Sequence, residues 1–387
     1  MKLTLLVFAL AGLFLLPQLG TPGAVQSQLT VTAVNKLKLA RSGETIELRA
    51  KDLATLAEKD LMKLHVLDSS GKEVLSQSVD TDYDDYHKPD VLIFQADFAP
   101  SETKTFTVTA GAKREYKKDD FRAYGRFVRE RFDDFAWEND RIAHRTYGKA
   151  LITWKGEPLT SSAIDIWSKR TSKLVINDWY MVDNYHADSG EGVDAYSAGP
   201  TRGCGGSGIW ADNKLFIPTN FVDSRVLANG PIRVMFELVY DQFDVNGVKV
   251  WQVMRVSLDA GSQLNHFETS YRADMHPLAV AIGLKKVKDE HREVNAEQGW
   301  VAIWQLMEKN LGMQGLAVVL NADDVDKLAE DARNNLIVLK PRSSFPVSYW
   351  AGFAWDRAGQ ITSADAWKKY VDEFAERLRS PIEVTLK

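Results

Sequence analysis

The sequence predicts a mainly β protein: one large β domain over residues 121–387, preceded by a small β-rich module over residues 28–112 and closed by an amphipathic helix. Three observations carry that prediction. Long stretches alternate apolar and polar residues with period two, as half-buried strands do. The turn signals between them are short, and the strand–helix alternation that a parallel sheet needs does not recur. One clear helical stripe, Trp367, Tyr370, Phe374 and Leu378, falls near the end behind Ser363, a capping residue.

The elements follow in order. Met1-Lys2, an apolar run from Leu3 to Leu16, Pro17, and small residues up to Ser27 make the three parts of a signal peptide. The run is too short to span a bilayer. Cleavage is expected after Ser27, with Ala24 next, and no cysteine stands there to take a lipid anchor. In the small module, Leu29-Thr-Val-Thr-Ala-Val34 and Thr105-Phe-Thr-Val-Thr109 alternate as strands, while Leu53, Leu56, Ala57 and Leu61 have helical spacing over Lys51–Lys63. The charged, apolar-poor run Lys113–Asp120 marks a boundary. Beyond it, Ile232–Tyr240 and Val250–Leu258 alternate around the turn signal Asp244-Val-Asn-Gly247, a hairpin, and Leu264–Tyr271 continues the sheet after Ala260-Gly261. The chain shows no internal repeat.

Composition narrows function. A net charge of −5 without a basic stripe gives no support to nucleic-acid or anionic-membrane binding. Cys204 is the only cysteine, so no internal disulfide exists, and the leader places the protein in the periplasm or outside the cell. Nothing near Cys204 marks an activated thiol; it reads as a small buried side chain. Eleven Trp and twelve Tyr suit an exported protein that stacks rings on sugar faces, although most will be core.

Walker loops, His-Glu-x-x-His, Gly-x-Ser-x-Gly and zinc-type Cys pairs are missing from the sequence. Four stretches remain. Thr201-Arg-Gly-Cys-Gly-Gly-Ser-Gly-Ile-Trp210 is dense enough in glycine to turn sharply or to approach a ligand closely, or simply to join buried strands. Arg131–Arg141, followed by His144, Arg145 and Tyr147, interleaves Asp133, Asp134, Glu138 and Asn139 with Phe132, Phe135 and Trp137. This is either a cleft edge for sugar hydroxyls or a salt-bridged surface with its rings inward. Trp179–His186, with Asp188, Glu191, Asp194, Tyr196 and Arg202, groups proton-transfer candidates His186, Tyr185 and Tyr196 with a carboxylate partner. Finally, Asp80, Asp82, Asp84 and Asp90 sit in an acidic run that reads as a solvated acidic turn or, as the second reading, a structural Ca²⁺ site. It is not an EF-hand: the sixth position is Asp85 rather than Gly, and the twelfth is Val91 rather than Glu.

Taken together, Phe132–Arg141, Ala163–Arg170, Tyr185-His186 with Gly190-Glu-Gly192, Gly199–Gly206, Leu227–Pro231 and Ser257–Ser262 resemble the family catalogued as domain of unknown function 4861. The resemblance covers nearly the whole mature chain, with six motifs in order. It implies a β-sandwich of the mutarotase-like supersandwich type, and a place among bacterial polysaccharide-degrading systems. At least one branch of that family is an oligosaccharide dehydratase that takes water from the non-reducing-end uronic acid of ulvan oligomers, leaving a 4,5-unsaturated sugar. Two departures stand out. His266 occupies a strand position where Arg is expected, and the Asp80 loop lacks a Gly-Asp-Gly core.

That reaction sets requirements for the residues. The C5 proton lies α to a carboxylate and is weakly acidic, so the carboxylate must be neutralised; Arg202 is the first choice and Asn220 the second. His186 and Tyr196 are expected to share the acid and base roles, with His144 next. Asp134 and Glu138 would orient the sugar or set a histidine tautomer, Tyr185 would contact substrate, and Trp137 or Trp210 would stack. No redox cofactor is required. Two alternatives remain at this point. A glycoside hydrolase or polysaccharide lyase of the same pathway would draw on Asp133, Asp134, Glu138 and Asp194. A non-catalytic glycan-binding protein would tolerate loss of His186 and Tyr196.

Overall fold

Asn246 and Gly247 both take positive φ, 51° and 88°. A two-residue turn of that kind matches the right-handed twist of flanking strands. It joins Arg233–Val245 to Val248–Asp259 with Val245 facing Val248, the hairpin that the alternation predicts. Its inward residues, among them Val234, Phe236, Leu238, Met254 and Val256, are buried. A computed structural model describes residues 26–81, 88–156, 158–182, 185–274 and 277–387.

Among these residues the hairpin forms the second and third strands of an eight-stranded antiparallel sheet. Its order is Phe221–Ala228, Arg233–Val245, Val248–Asp259, Leu264–Ala273, Val347–Trp355, Met313–Leu320, Trp300–Leu306 and His291–Asn295. A five-stranded sheet packs over it, in the order Lys214–Phe216, Cys204–Ala211, Val280–Lys285, Asn334–Leu339 and Val325–Glu330. Phe236, Val256, Phe267, Val318 and Phe353 from one sheet meet Cys204, Ile209, Val280, Ile282 and Ile337 from the other in a continuous apolar core. This is the β-sandwich, of the supersandwich type, that the family resemblance implies.

The C-terminal helix, α2 (Ala364–Arg379), lies on the outer face of the large sheet. The Ser363 side chain accepts from the Ala366 amide, capping it as expected. Trp367, Val371 and Ala375 are buried against Trp300, Ala302, Ala317 and Val319.

Two further layers matter. At the N-terminal end, five strands (Glu383–Leu386, Gln28–Val34, Thr103–Ala110, Leu64–Leu67, Glu73–Val74) and three (Arg41–Arg49, Val91–Phe98, Ser76–Val79) enclose a separate apolar core. The sequence reading closed the chain with the helix. Instead it returns, and Val31–Val34 pairs with Leu386–Glu383 along the edge of the N-terminal sheet. Lys51–Lys63 is not an α-helix either. Gln26 exchanges backbone hydrogen bonds with Thr55 and Ala57, and only Leu61–Lys63 forms a single 3-10 turn. The buried Leu53, Leu56 and Leu61 are satisfied by turns, so their spacing misleads. The leader expected over residues 1–27 lies outside the described residues except for Gln26 and Ser27. Among the described residues no helix is long and apolar enough to cross a membrane.

The last layer is a five-stranded sheet on the flank of the sandwich: Gly192–Val193, Asp165–Lys169, Ala143–Thr146, Asp134–Asn139 and Ala123–Val128. Every residue of the three middle strands is buried. One face joins the sandwich core, and the short helix α1 (Ile176–Val182) covers the other.

Candidate functional site

A strand buried on both faces sends alternate side chains to two different interiors. In the flank sheet this sorting separates rings from charges. Phe135 and Trp137, His144, and Ile164 and Ile166 face the sandwich. Asp134, Glu138, Arg145, Asp165 and Lys169 fall on the α1 side, with Ala136, Ala143 and Trp167 between them. The aromatic–acidic interleaving of Arg131–Arg141 is therefore a two-faced strand rather than a cleft edge.

Arg145 is the hub of the charged side. It pairs across the strands with Asp165, its Nε 2.8 Å from Asp165 Oδ2. Its Nη2 lies 3.0 Å from Asp194 Oδ2, and its Nη1 3.9 Å from Asp134 Oδ2. The guanidinium rests over the rings of Tyr147, Trp167 and Tyr185 at 5.5–5.8 Å. Tyr147 Oη donates to Asp165 Oδ2 at 2.7 Å, and Arg131 Nε donates to Tyr185 Oη at 2.9 Å. Burial opposes the Arg145 charge, but Asp194 and Asp165 overcome it and hold its pKa above the ordinary value. Three carboxylates around that guanidinium are more than it can neutralise. Burial accordingly pushes the Asp134 carboxyl up to about 7, against the pull of Arg145 and Arg131. Burial likewise raises Asp165 to about 6.

Asp194 links this interior to solvent. Its Oδ2 lies 3.1 Å from His186 Nδ1, and the His186 side chain is 53% exposed. Accepting from Nδ1, the Asp194 side chain raises the imidazole pKa, helped by the Asp194 backbone carbonyl 3.3 Å from the same nitrogen and against partial burial. The ring leans on Tyr185, with centroids 4.5 Å apart. With Nδ1 turned to Asp194, Nε2 is the nitrogen left to meet a substrate.

Cations lie on the neighbouring segments. Lys309 Nζ donates to the His186 carbonyl at 3.4 Å. Arg170 pairs with Asp188, donates to Gly190 O at 2.9 Å and lies 5.0 Å above the Trp355 ring. Lys285 Nζ bonds Ser197 O at 2.8 Å and Glu308 at 2.6 Å.

The residues singled out from the sequence divide sharply. His186, Tyr185 and Asp134 meet around Arg145. The others do not join them. His144 is fully buried, with Nδ1 2.9 Å from Asp165 O and Nε2 2.9 Å from Asn265 Nδ2; burial drops its pKa to about 3. It is a neutral core imidazole, stacked on Trp137. Trp137 cannot stack on a sugar either: it is 0% exposed and donates to Asn265 Oδ1 at 2.8 Å. Glu138 is spent on Lys169 Nζ (2.7 Å) and the amides of Val175 and Ile176 (2.9 and 2.8 Å), tying down the start of α1.

Asn220 bridges Gly148 O, Leu159 O and the Ser161 amide, so it holds loops together. Tyr196 turns into the sandwich core; its hydroxyl is buried without a hydrogen bond, and burial holds its pKa well above the ordinary value. Arg202 is also interior, near Ser162 and Ser207, and shares no contact with His186. Trp210 is half-buried opposite Leu215 on the hairpin with Lys214–Phe216. Cys204 is buried, and burial raises its thiol pKa, as expected for an inert side chain.

Of the four acids considered for Ca²⁺, Asp82 and Asp84 lie outside the described residues. Asp80 is buried, and Asp90 takes the Thr81 amide and hydroxyl, both at 2.6 Å. Among the described residues no three His, Cys, Asp or Glu are grouped to hold a metal ion.

The sequence reading missed the centrality of Arg145 and Asp165. Both sit in alternating stretches, Arg145-Thr-Tyr147 and Asp165-Ile-Trp-Ser-Lys169. Charges of opposite sign, or a charge and a tyrosine, recurring two or four positions apart on one face of an otherwise apolar strand are the available signal.

The fold and the site define a class: a β-sandwich protein whose flank sheet carries a buried, charge-paired layer ending at a half-exposed histidine. The chain belongs to the family described as "Domain of unknown function (DUF4861)", whose model matches residues 34–384. "Uncharacterized protein P7" of Formosa agariphila is 33% identical over 370 residues, covering 92% of this chain and 93% of that protein. Among solved structures, a protein of glycosyl hydrolase family 38 from Enterococcus faecalis superposes with a TM-score of 0.53 at 11% identity, over 94% of this chain and 48% of that one. An α-mannosidase from Enterococcus faecalis V583 gives 0.51 at 10%, over 94% and 46%. The chain thus spans about half the length of these two structures, and the likeness is one of fold.

Proposed function

We propose that this protein is an exported carbohydrate-active hydro-lyase, which removes water from the non-reducing-end uronic acid of ulvan-type oligosaccharides to leave a 4,5-unsaturated uronate. The observation that carries the proposal is the line Arg145–Asp194–His186: a buried guanidinium fixes a carboxylate, and that carboxylate fixes a half-exposed imidazole. Such a line orients the ring and stabilises it when it takes up a proton.

In the reaction His186 Nε2 takes the C5 proton. The C5–H electron pair becomes the C4=C5 double bond, the C4–O bond breaks, and the imidazolium returns its proton to the departing hydroxyl, which leaves as water. Negative charge builds on the uronate carboxylate as the C5 proton departs. Lys309, whose ammonium touches the His186 carbonyl, replaces Arg202 as the cation placed to offset it. A glycoside hydrolase would instead need two opposed carboxyl groups at the substrate. Asp134, Asp165 and Asp194 are 0, 0 and 3% exposed and committed to Arg145, which disfavours that reading.

Mass spectrometry of uronate-ended oligosaccharides after incubation with the mature protein tests the proposal. The expected product is lighter by one water and absorbs as an unsaturated uronate. Shorter fragments, or a product that forms equally well with His186→Ala, would overturn it.

A further inference from the structure

Arg202 carries a buried charge that is handled unlike its neighbours. Arg145 and Lys169, equally enclosed, are met by carboxylates at 2.8 and 2.7 Å. Arg202 is 1% exposed, and among the described residues no carboxylate reaches ion-pair distance of it. Its Nη1 touches only the Ser162 carbonyl and hydroxyl and the Ser207 carbonyl, at 3.2–3.3 Å. Its Nε and Nη2 make no hydrogen bond. Burial lowers the guanidinium pKa to about 10, which still leaves it charged at neutral pH.

The position is built rather than incidental. A Cβ on Gly283 would fall 2.5 Å from Arg202 Cγ, and one on Gly206 would fall 2.6 Å from Arg202 O and 3.2 Å from Nη1. The glycines of the 201–208 stretch and of the neighbouring strand therefore make room for this side chain inside the sandwich. Around it stand the buried hydroxyl of Tyr240, which makes no hydrogen bond, and those of Ser207 and Tyr271, which share one at 2.8 Å and so leave one O–H between them as a further donor, while Tyr349 Oη donates to Gly205 O at 2.8 Å.

An unpaired charge in such an interior is strongly unfavourable. Water could complete the hydrogen bonds but would leave the charge uncompensated. A sugar carboxylate or other bulky anion would need an opening that these buried side chains do not offer. A small spherical anion accepts from N–H and O–H donors alike and supplies the missing charge. We infer that the sandwich interior binds one halide ion, chloride in ordinary salt, against the Arg202 guanidinium. The site is independent of His186 and of the reaction proposed above.

Crystals of the full mature protein test this directly, grown once from chloride and once from bromide in its place. Anomalous maps, at long wavelength for chloride and at the bromine edge for bromide, should each show a peak within about 3.5 Å of Arg202 Nε or Nη2, the distance range of a charge-assisted contact. Melting at constant ionic strength should be about 2 °C or more higher in chloride than in gluconate, and Arg202→Met should abolish that difference. If Arg202→Met does not fold, the wild-type maps still decide. Maps without a peak at Arg202, or a halide-dependent melting shift that survives in Arg202→Met, would overturn the inference.

Discussion

Glu138 offers the sharpest separation between a residue that touches sugar and one that holds the fold. The perturbation is Glu138→Ala. Its carboxylate is fully buried and accepts from Lys169 Nζ and from the amides of Val175 and Ile176. Truncation leaves the Lys169 ammonium, itself 0% exposed, with only the carbonyls of Asn139 and Lys173. Breaking one side of a buried ion pair costs about 3–5 kcal/mol. Two orphaned amide donors add roughly 1–3 kcal/mol each before relaxation. A loss of about 5 kcal/mol is expected after the overlap between these effects, and about 3 kcal/mol for Glu138→Gln, which keeps one acceptor.

The assay is urea unfolding followed by circular dichroism, with Lys169→Met and the double variant completing a cycle. The coupling should reach about 2 kcal/mol, since the pair shares one hydrogen-bond network. A Glu138→Ala protein within about 1 kcal/mol of wild type, but with weakened substrate binding, would refute the reasoning and return Glu138 to a sugar-contacting role.

Other expectations follow from the same geometry. His186→Ala should lower the dehydration rate by about 10²–10⁴-fold, read as unsaturated-uronate absorbance, while leaving the melting temperature nearly unchanged because the ring is half in solvent. Asp134 has a folded pKa of about 7, above its unfolded value near 3.8, so the native state keeps a proton that the unfolded chain has released. Its contribution is fully present below pH 4 and is lost as pH rises through 7, a swing of roughly 4 kcal/mol at most. Asp134→Asn should therefore be more stable than wild type at pH 8 and lose that advantage toward pH 4; parallel melting curves for the two proteins would count against it. Cys204 should resist thiol reagents in the native protein and react at the rate of global unfolding, since it is buried with a raised pKa. Fast labelling under native conditions would show that the core opens locally there.

Where the sequence was informative, a local rule had no competitor. Asn246-Gly247 can form a tight hairpin turn at no steric cost, and Ser363 stands before a stripe that only a helix can place on one face. Where it failed, tertiary pairing won. Leu53, Leu56 and Leu61 fit a helix by spacing, but Gln26 reaches them as an edge partner, and no window of local sequence contains both segments. The closing strand Glu383–Leu386 is too short to announce itself. It is a strand because Val31–Val34, some 350 residues away, gives it hydrogen bonds.

The site was legible as a neighbourhood but not as an assignment, and the reason is physical. Alternation reads as inside and outside only when one face meets water. The flank sheet has two insides, so its polar face of Asp134, Glu138, Arg145, Asp165 and Lys169 looks in sequence like a surface or a cleft. Residue type then misleads: His144 resembles a catalytic imidazole, yet both ring nitrogens are consumed in the core, whereas His186 is spared because it sits where the sheet ends. Under the reaction proposed above, what ties that buried layer to a substrate is its link to solvent among the described residues. Arg145 holds Asp165 and Asp194 in a low-dielectric interior where their attraction is weakly screened. Of the three carboxylates around it, only Asp194 also reaches the half-exposed His186. The layer therefore sets the orientation and basicity of one imidazole. Substitutions at Asp165 or Tyr147, both buried away from solvent, should act on the proposed reaction through His186 alone.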